Sequence, residues 1–178
     1  KEKQILESKL FHSYDIVGKS QSIEKVKNLI TKLKNTESRI FISGPAGSGK
    51  ELIARQIHKQ SSRSKKPFVV VNGALLDPQK YELELFGSEN TNDTKNYGFF
   101  EKAKNGTLLI DEISEIPLET QAKILRVLID QKFRRVNGSK EINVNVRIIS
   151  TSSKNIREEV DKGNFREDLY HRLNVVPI

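Results

Sequence analysis

Short unbroken apolar runs alternate, along most of this chain, with stretches where apolar residues recur every three or four positions. The first pattern predicts buried strands and the second amphipathic helices. Residues 1–14 are polar except for Ile5, Leu6, Leu10 and Phe11, and read as the remnant of a linker helix. Asp15 to Ser20 reads as a short apolar turn around Ile16, Val17 and Gly18. Ile23, Val26, Leu29, Ile30 and Leu33 then mark a helix of period 3.6. A strand is predicted over 39–43, a helix carrying Leu52, Ile53, Ala54 and Ile57 to about Gln60, and a buried strand over 67–72. Asp77-Pro78 has the form of an N-cap followed by a first-turn proline. The helix it opens carries Tyr81, Leu83, Leu85 and Phe86 and stops at Gly87.

Residues 88–96, rich in Asn, Thr and Asp, predict an exposed, mobile loop. A short helix or turn over 97–104 precedes an apolar strand, 107–112, that ends in two acids. Pro117 opens a helix with Leu118, Ala122, Leu125, Leu128 and Ile129 on one face. Residues 133–136 and 142–146 suggest a hairpin around Asn137-Gly138, and 147–152 another buried strand. Helices over 155–162 and 165–173 and a last strand over 175–178 follow. Strands alternating with helices predict an α/β domain, 15–178, with a parallel sheet covered by helices on both faces.

Ligands of such sheets bind at the carboxyl ends of the strands. At the end of 39–43 stands Gly44-Pro45-Ala46-Gly47-Ser48-Gly49-Lys50-Glu51, followed by Leu52. Glycines there allow a tight turn and bring backbone N–H groups close to a polyphosphate, the following helix adds the positive end of its dipole, and Lys50 can reach the outer phosphates. The pattern is that of a phosphate-binding loop, except that Glu51 stands where a Ser or Thr usually helps hold Mg²⁺. Asn72, the pair Asp111-Glu112 and the turn Thr151-Ser152-Ser153 fall at the ends of the other apolar strands, so one pocket could collect them. Nucleoside triphosphate hydrolysis needs held phosphates, an anchored Mg²⁺ and an aligned water. Asp111 suits the metal and Glu112 the water. An arginine often neutralises the transition state; Arg166 and Arg172 are candidates, although composition favours local salt bridges to Glu167 and Asp168.

The 178 residues suffice for one domain with a full core, and 30% charged against 35% hydrophobic residues fits a soluble folded chain. No apolar run reaches membrane-spanning length and no signal peptide is visible, so a cytoplasmic location without membrane partners is expected. The absence of cysteine excludes a disulfide scaffold and cysteine-based metal or catalytic sites. Methionine is also absent, and both ends look cut, which suggests a domain taken from a longer protein. The net charge of +8 is compatible with nucleic acid, but the lysines are scattered and not interleaved with aromatics, so a solvated lysine-rich surface is the favoured reading. His12, His58 and His171 show no ligand spacing and are expected at the surface or behind a site.

Taken together, these motifs resemble the central AAA+ ATPase domain of the NtrC-type enhancer-binding proteins, the sigma-54-dependent activators, from about Ile16 to Ile178. The resemblance is carried by residues 44–51 with the Glu after the lysine, Glu84-Leu85-Phe86-Gly87, the run Gly98-Phe99-Phe100-Glu101-Lys102-Ala103, residues 106–113, residues 121–128 and residues 165–177. It implies ATP and Mg²⁺ as ligands. Asp111 would be the Mg²⁺ aspartate, Glu112 the catalytic glutamate, and Asn72 the residue that restrains that glutamate. Arg166 and Arg172 would be arginine fingers reaching the next subunit's nucleotide, and Ser153 would stand at the first sensor position. Ile16, Val17 and Gly18 would lie against the adenine. It further implies a homo-oligomeric ring, usually a hexamer or heptamer. The helical lid, a DNA-binding domain and a receiver domain addressed by a sensor histidine kinase would lie outside this chain.

Two positions depart from the family pattern. Residues 88–97 replace the loop with Gly-Ala-Phe-Thr-Gly-Ala that touches sigma-54, so contact with that factor stays open, and the chain resembles the NtrX branch, which can lack the motif. Thr151-Ser152-Ser153 stands where the family favours Ala-Thr-Asn, which suggests slow hydrolysis. Three functional readings follow: an Mg²⁺-dependent ATPase module of a two-component transcription regulator, a nucleotide-gated oligomerisation module with little turnover, and a DNA-stimulated motor.

Overall fold

The computed structural model describes residues 15–90 and 94–178; the expected linker helix over 1–14 lies outside them. In chain order the elements are α1 (Gln21–Leu33), β1 (Ile40–Ser43), α2 (Lys50–Lys59), β2 (Phe68–Asn72), α3 (Tyr81–Phe86), β3 (Ser88–Glu89), β4 (Lys95–Asn96), α4 (Phe99–Lys102) and β5 (Thr107–Asp111). A 3₁₀ turn (Ile113–Glu115) leads to α5 (Leu118–Asp130), β6 (Lys132–Arg134), β7 (Glu141–Asn143), β8 (Arg147–Ser152), α6 (Ile156–Asp161), α7 (Glu167–Leu173) and β9 (Val176–Pro177).

Five strands form one parallel sheet in the order β2-β5-β8-β1-β9. Side chains alternate across it, as the pleat requires. Ile40, Ile42, Leu109 and Ile149 join Ile30 and Leu33 of α1 and Ala54 and Ile57 of α2 on one face. Phe41, Leu108, Ile110 and Ile148 join Ile124 of α5 and Leu169 of α7 on the other. The sheet is therefore buried on both sides, as the continuous apolar runs predict.

Four local expectations are corrected. Asp77 does not cap a helix: its side chain accepts from the Gln79 N–H at 3.0 Å in a separate turn, and α3 begins at Tyr81. The apolar face of α5 is rotated from the expected one. Gln121, Ile124, Val127 and Leu128 are buried, while Leu118 and Ile129 are 44% and 54% exposed, because the helix packs against α7 through the former set. Residues 88–96 do not form a free loop at their ends: Ser88 pairs with Asn96 and Glu89 with Lys95, and residues 91–93 lie outside the described residues. His58 is not at the surface but 7% exposed on α2; His171 is exposed, and His12 lies outside the described residues.

The β3–β4 hairpin is fastened to the β6–β7 hairpin. The Glu89 N–H donates to the Val136 carbonyl, and the Val136 N–H to that of Gly87. Arg135 is buried between two acids, with Nη1 3.0 Å from Glu89 and with Nε and Nη2 both 2.7 Å from Glu101. Gly87 sits at φ 74°, and a Cβ there would stand 2.1 Å from the Asn96 carbonyl, so this junction admits only glycine.

Candidate active site

The sheet order brings the carboxyl ends of β1, β8, β5 and β2 side by side. β1 runs into the 44–49 loop, whose Gly44 N–H donates to the Ser152 carbonyl at 3.3 Å and ties it to the end of β8. Gly47 and Gly49 have φ 74° and 88°, conformations that L side chains resist, and a Cβ at either would meet nothing within 4 Å. The Cβ directions of both glycines thus face open space. Lys50, the first residue of α2, is 7% exposed; its Nζ donates to the Gly44 and Pro45 carbonyls at 2.9 and 3.0 Å and lies 3.6 Å from Glu112 Oε1.

Asp111, which ends β5, and Glu112, the residue after it, are held by different partners. Asp111 Oδ1 accepts from the Thr151 hydroxyl at 2.5 Å, and Oδ2 accepts from Asn72 Nδ2 at 3.1 Å. Asn72 is the register partner of Asp111, so its amide meets the aspartate and not the next residue. In this arrangement the Asn72 amide lies on Asp111, and Glu112 is held by other donors. Glu112 turns into the left-handed region, φ 51° and ψ 53°, a strained conformation for a non-glycine residue, with its N–H on Thr151 Oγ1 at 3.1 Å. Its carboxylate lies on Ser153: Oε2 accepts from the Ser153 N–H at 2.9 Å and from its hydroxyl at 2.8 Å. The sequence places Thr151 at a strand end without giving it a role; the available signal is its hydroxyl on the strand adjoining β5, where the family pattern has alanine.

Other expected site residues stand apart from this cluster. Glu51 is exposed and bound to Arg55, 2.8 Å from its Nε and 2.7 Å from its Nη2. Leu52 is partly buried on α2. The strap at 15–18 crosses toward α2: Asp15 accepts from Gln56 at 3.2 Å and Lys59 at 3.0 Å, Ile16 packs on the α1–α2 side of the core, and Val17 is 91% exposed. Arg166 closes a two-pronged bond on Asp168, 3.0 and 2.8 Å, in line with the local salt bridge that composition favours; that bond raises the arginine's pKa and lowers the aspartate's. Arg172 is exposed on α7, and after burial its charge is what lowers the pKa of Arg39. Behind the site, the Glu115 carboxylate 2.8 Å from Lys154 raises the lysine's pKa.

A glycine-rich loop with two left-handed glycines, a buried lysine beside it and two consecutive acids at a strand end, on a five-stranded parallel sheet, are the marks of a P-loop NTPase domain of the AAA+ class. The family described as the Sigma-54 interaction domain matches residues 16–178, and the chain belongs to it. It is 47% identical over 170 residues to the nitrogen assimilation regulatory protein NtrX of Azorhizobium caulinodans, covering 95% of this chain and 37% of that protein. Identity to the DNA-binding transcriptional regulator NtrC of Escherichia coli K12 is 41%, over 92% of this chain and 36% of the relative. The crystal structure of Brucella abortus NtrX in complex with ATP superposes with a TM-score of 0.90 at 45% identity, over 99% of this chain and 42% of that one. The chain thus spans little more than a third of the length of the first two regulators.

Proposed function

We propose that this chain binds ATP with Mg²⁺ and hydrolyses it, as the nucleotide-driven module of a cytoplasmic bacterial two-component transcription regulator that assembles as a ring. The observation that carries the reading is the approach of Lys50 Nζ to Glu112 Oε1 at 3.6 Å beside the glycine-rich loop. It sets a phosphate-binding cation next to a candidate base at one point. The ATP complex of Brucella abortus NtrX, a 45% identical structure, supports the choice of nucleotide.

The amides of residues 44–50 and the Lys50 ammonium would hold the phosphates. Asp111 would hold Mg²⁺: a carboxylate is the hard oxygen donor that this ion takes together with phosphate oxygens, and its orientation is fixed by Thr151 and Asn72. Bound there, Mg²⁺ would neutralise charge on the phosphate oxygens. Glu112 would orient the attacking water and take its proton. Val17, exposed on its strap, and its neighbours Ile16 and Gly18 would offer a surface to the adenine. Arg166 and Arg172 would serve a neighbouring protomer's nucleotide, which for Arg166 requires exchanging Asp168 for phosphate. DNA binding and the histidine kinase signal would enter through domains outside this chain. The short β3–β4 hairpin lacks the sigma-54 contact motif, so that contact is not part of the proposal.

The test is calorimetry and phosphate release on the natural protein that contains this chain. Lys50→Ala is expected to abolish ATP binding, and Glu112→Gln to retain binding while turnover falls at least about a hundred-fold. Unchanged ATP affinity in the lysine variant would remove the proposal. A second reading, nucleotide-gated assembly with little turnover, is favoured by Arg166 being engaged by Asp168 of its own chain. Nucleotide-dependent mass without phosphate release from the unaltered protein would select it.

A further inference from the structure

The run 121–128 is among the motifs that carry the family resemblance, yet the proposed chemistry uses none of it. Its first residue, Gln121, is fully buried on α5. We propose that Gln121 is the positioning residue for Arg166, fixing the backbone from which that arginine is offered to a neighbouring protomer's nucleotide. The proposal rests on the reading of Arg166 given above and adds the group that sets its place.

Every polar atom of the Gln121 side chain binds backbone. Nε2 carries two hydrogens and donates to the Ile116 carbonyl at 2.8 Å and to the Asn164 carbonyl at 3.1 Å. Oε1 accepts from the Arg166 N–H at 2.9 Å. Asn164 and Arg166 flank Phe165, so the amide clips the chain on both sides of a residue that is itself buried. Ile116 is the other end of the brace. It follows the short turn after Glu112, and this turn is tied to its surroundings: the Ser152 hydroxyl on β8 donates to that of Ser114 at 3.1 Å, and the Glu115 carbonyl accepts from the Tyr81 hydroxyl at 3.3 Å. Gln121 thus carries the position of the strand ends across to Arg166.

Apolar packing does not set that position. Phe165 and Leu169 share a core with Ile124 of α5, but such contacts are non-directional and leave α7 free to slide. Hydrogen bonds fix direction as well as distance. Arg166 stands where α7 begins, and backbone N–H groups at a helix start find no partner within the helix, so the acceptor that Gln121 supplies is what places it. The head of the arginine is held differently, by an exposed pair with Asp168. Exposed ion pairs are weak. The head can therefore trade Asp168 for phosphate while its base stays fixed.

Two measurements on the natural protein that contains this chain test the assignment. The first is hydrogen exchange at the Arg166 amide. It is expected to be slow in the unaltered protein and at least about ten-fold faster in Gln121→Met, which keeps the length of the side chain without its polar atoms. Fast exchange in the unaltered protein, or no change in the variant, would overturn the proposal. The second is steady-state phosphate release at a temperature where urea unfolding shows the variant folded. Gln121→Met is expected to lower kcat at least about ten-fold, since a displacement of about 1 Å can cost about a hundred-fold. A loss of local structure would stay with the altered protomer, whereas a misplaced arginine is replaced by a neighbour's. Mixed with Glu112→Gln protomers, which keep Gln121 and Arg166, Gln121→Met is therefore expected to release phosphate faster than the two variants do separately. Arg166→Ala mixed with Glu112→Gln is the control. A gain for Arg166→Ala with none for Gln121→Met would overturn the proposal. If Arg166→Ala gains nothing either, or the unaltered protein releases no phosphate, the reading of Arg166 fails, and the amide exchange alone decides whether Gln121 holds this segment.

Discussion

His58 is buried on α2, its Nδ1 2.9 Å from the Thr107 hydroxyl and its ring tilted against Phe68 at 5.0 Å between centroids. Burial above all, then the charges of Arg147, Arg55 and Arg63, lowers its pKa from the ordinary value of 6.5. Below that value the unfolded chain binds a proton that the folded chain resists. Stability should therefore be intact above about pH 6.5 and fall as the pH drops toward the depressed folded value. Thermal unfolding between about pH 8 and pH 5 is expected to show this slope, and His58→Gln to flatten it. Nothing in the spacing of the three histidines signals this burial; it follows from the neighbours that α2 and β5 supply. Asn72 illustrates the same limit: its place at a strand end is legible, but its partner depends on the register with Asp111.

Among the elements, α5 shows how a polar residue can organise an apolar interface. Gln121 is fully buried; its Nε2 donates to the Ile116 and Asn164 carbonyls at 2.8 and 3.1 Å, and its Oε1 accepts from the Arg166 N–H at 2.9 Å. One side chain thus joins the start of α5 to the chain entering α7 and fixes the backbone from which Arg166 projects. Gln121→Leu would keep the volume but leave three backbone groups, one buried and two partly buried, without that partner. Each such group costs roughly 1–3 kcal/mol, and some will find water. A loss of about 3 kcal/mol in urea unfolding is expected. A pattern read for apolar residues alone shifts the buried face toward Leu118 and Ile129, since hydrophobicity carries no sign that a glutamine is satisfied inside. For the same reason β3 and β4 read as a loop: two-residue strands held by Arg135 and by backbone bonds to Val136 leave no periodic trace.

At the scale of the whole molecule, the proposed ligand would join elements from across the sheet, the 44–49 loop after β1 and the acids after β5. ATP that binds only the folded chain adds stability by mass action, about 2.7 kcal/mol at a concentration about one hundred times Kd. For a chain of this size that is a rise in Tm of about 5–10 °C. Scanning calorimetry with increasing ATP and Mg²⁺ is expected to show that rise, and Lys50→Ala to lose it. The sequence by itself determined the parallel α/β sheet, the phosphate loop and the two acids, because apolar runs, glycine conformations and strand-end chemistry are local properties. Tertiary structure alone decided which donor serves which acid, and that Gln121, Arg135 and His58 are inside. Those outcomes depend on strand register and helix packing, which bring together residues that lie far apart along the chain.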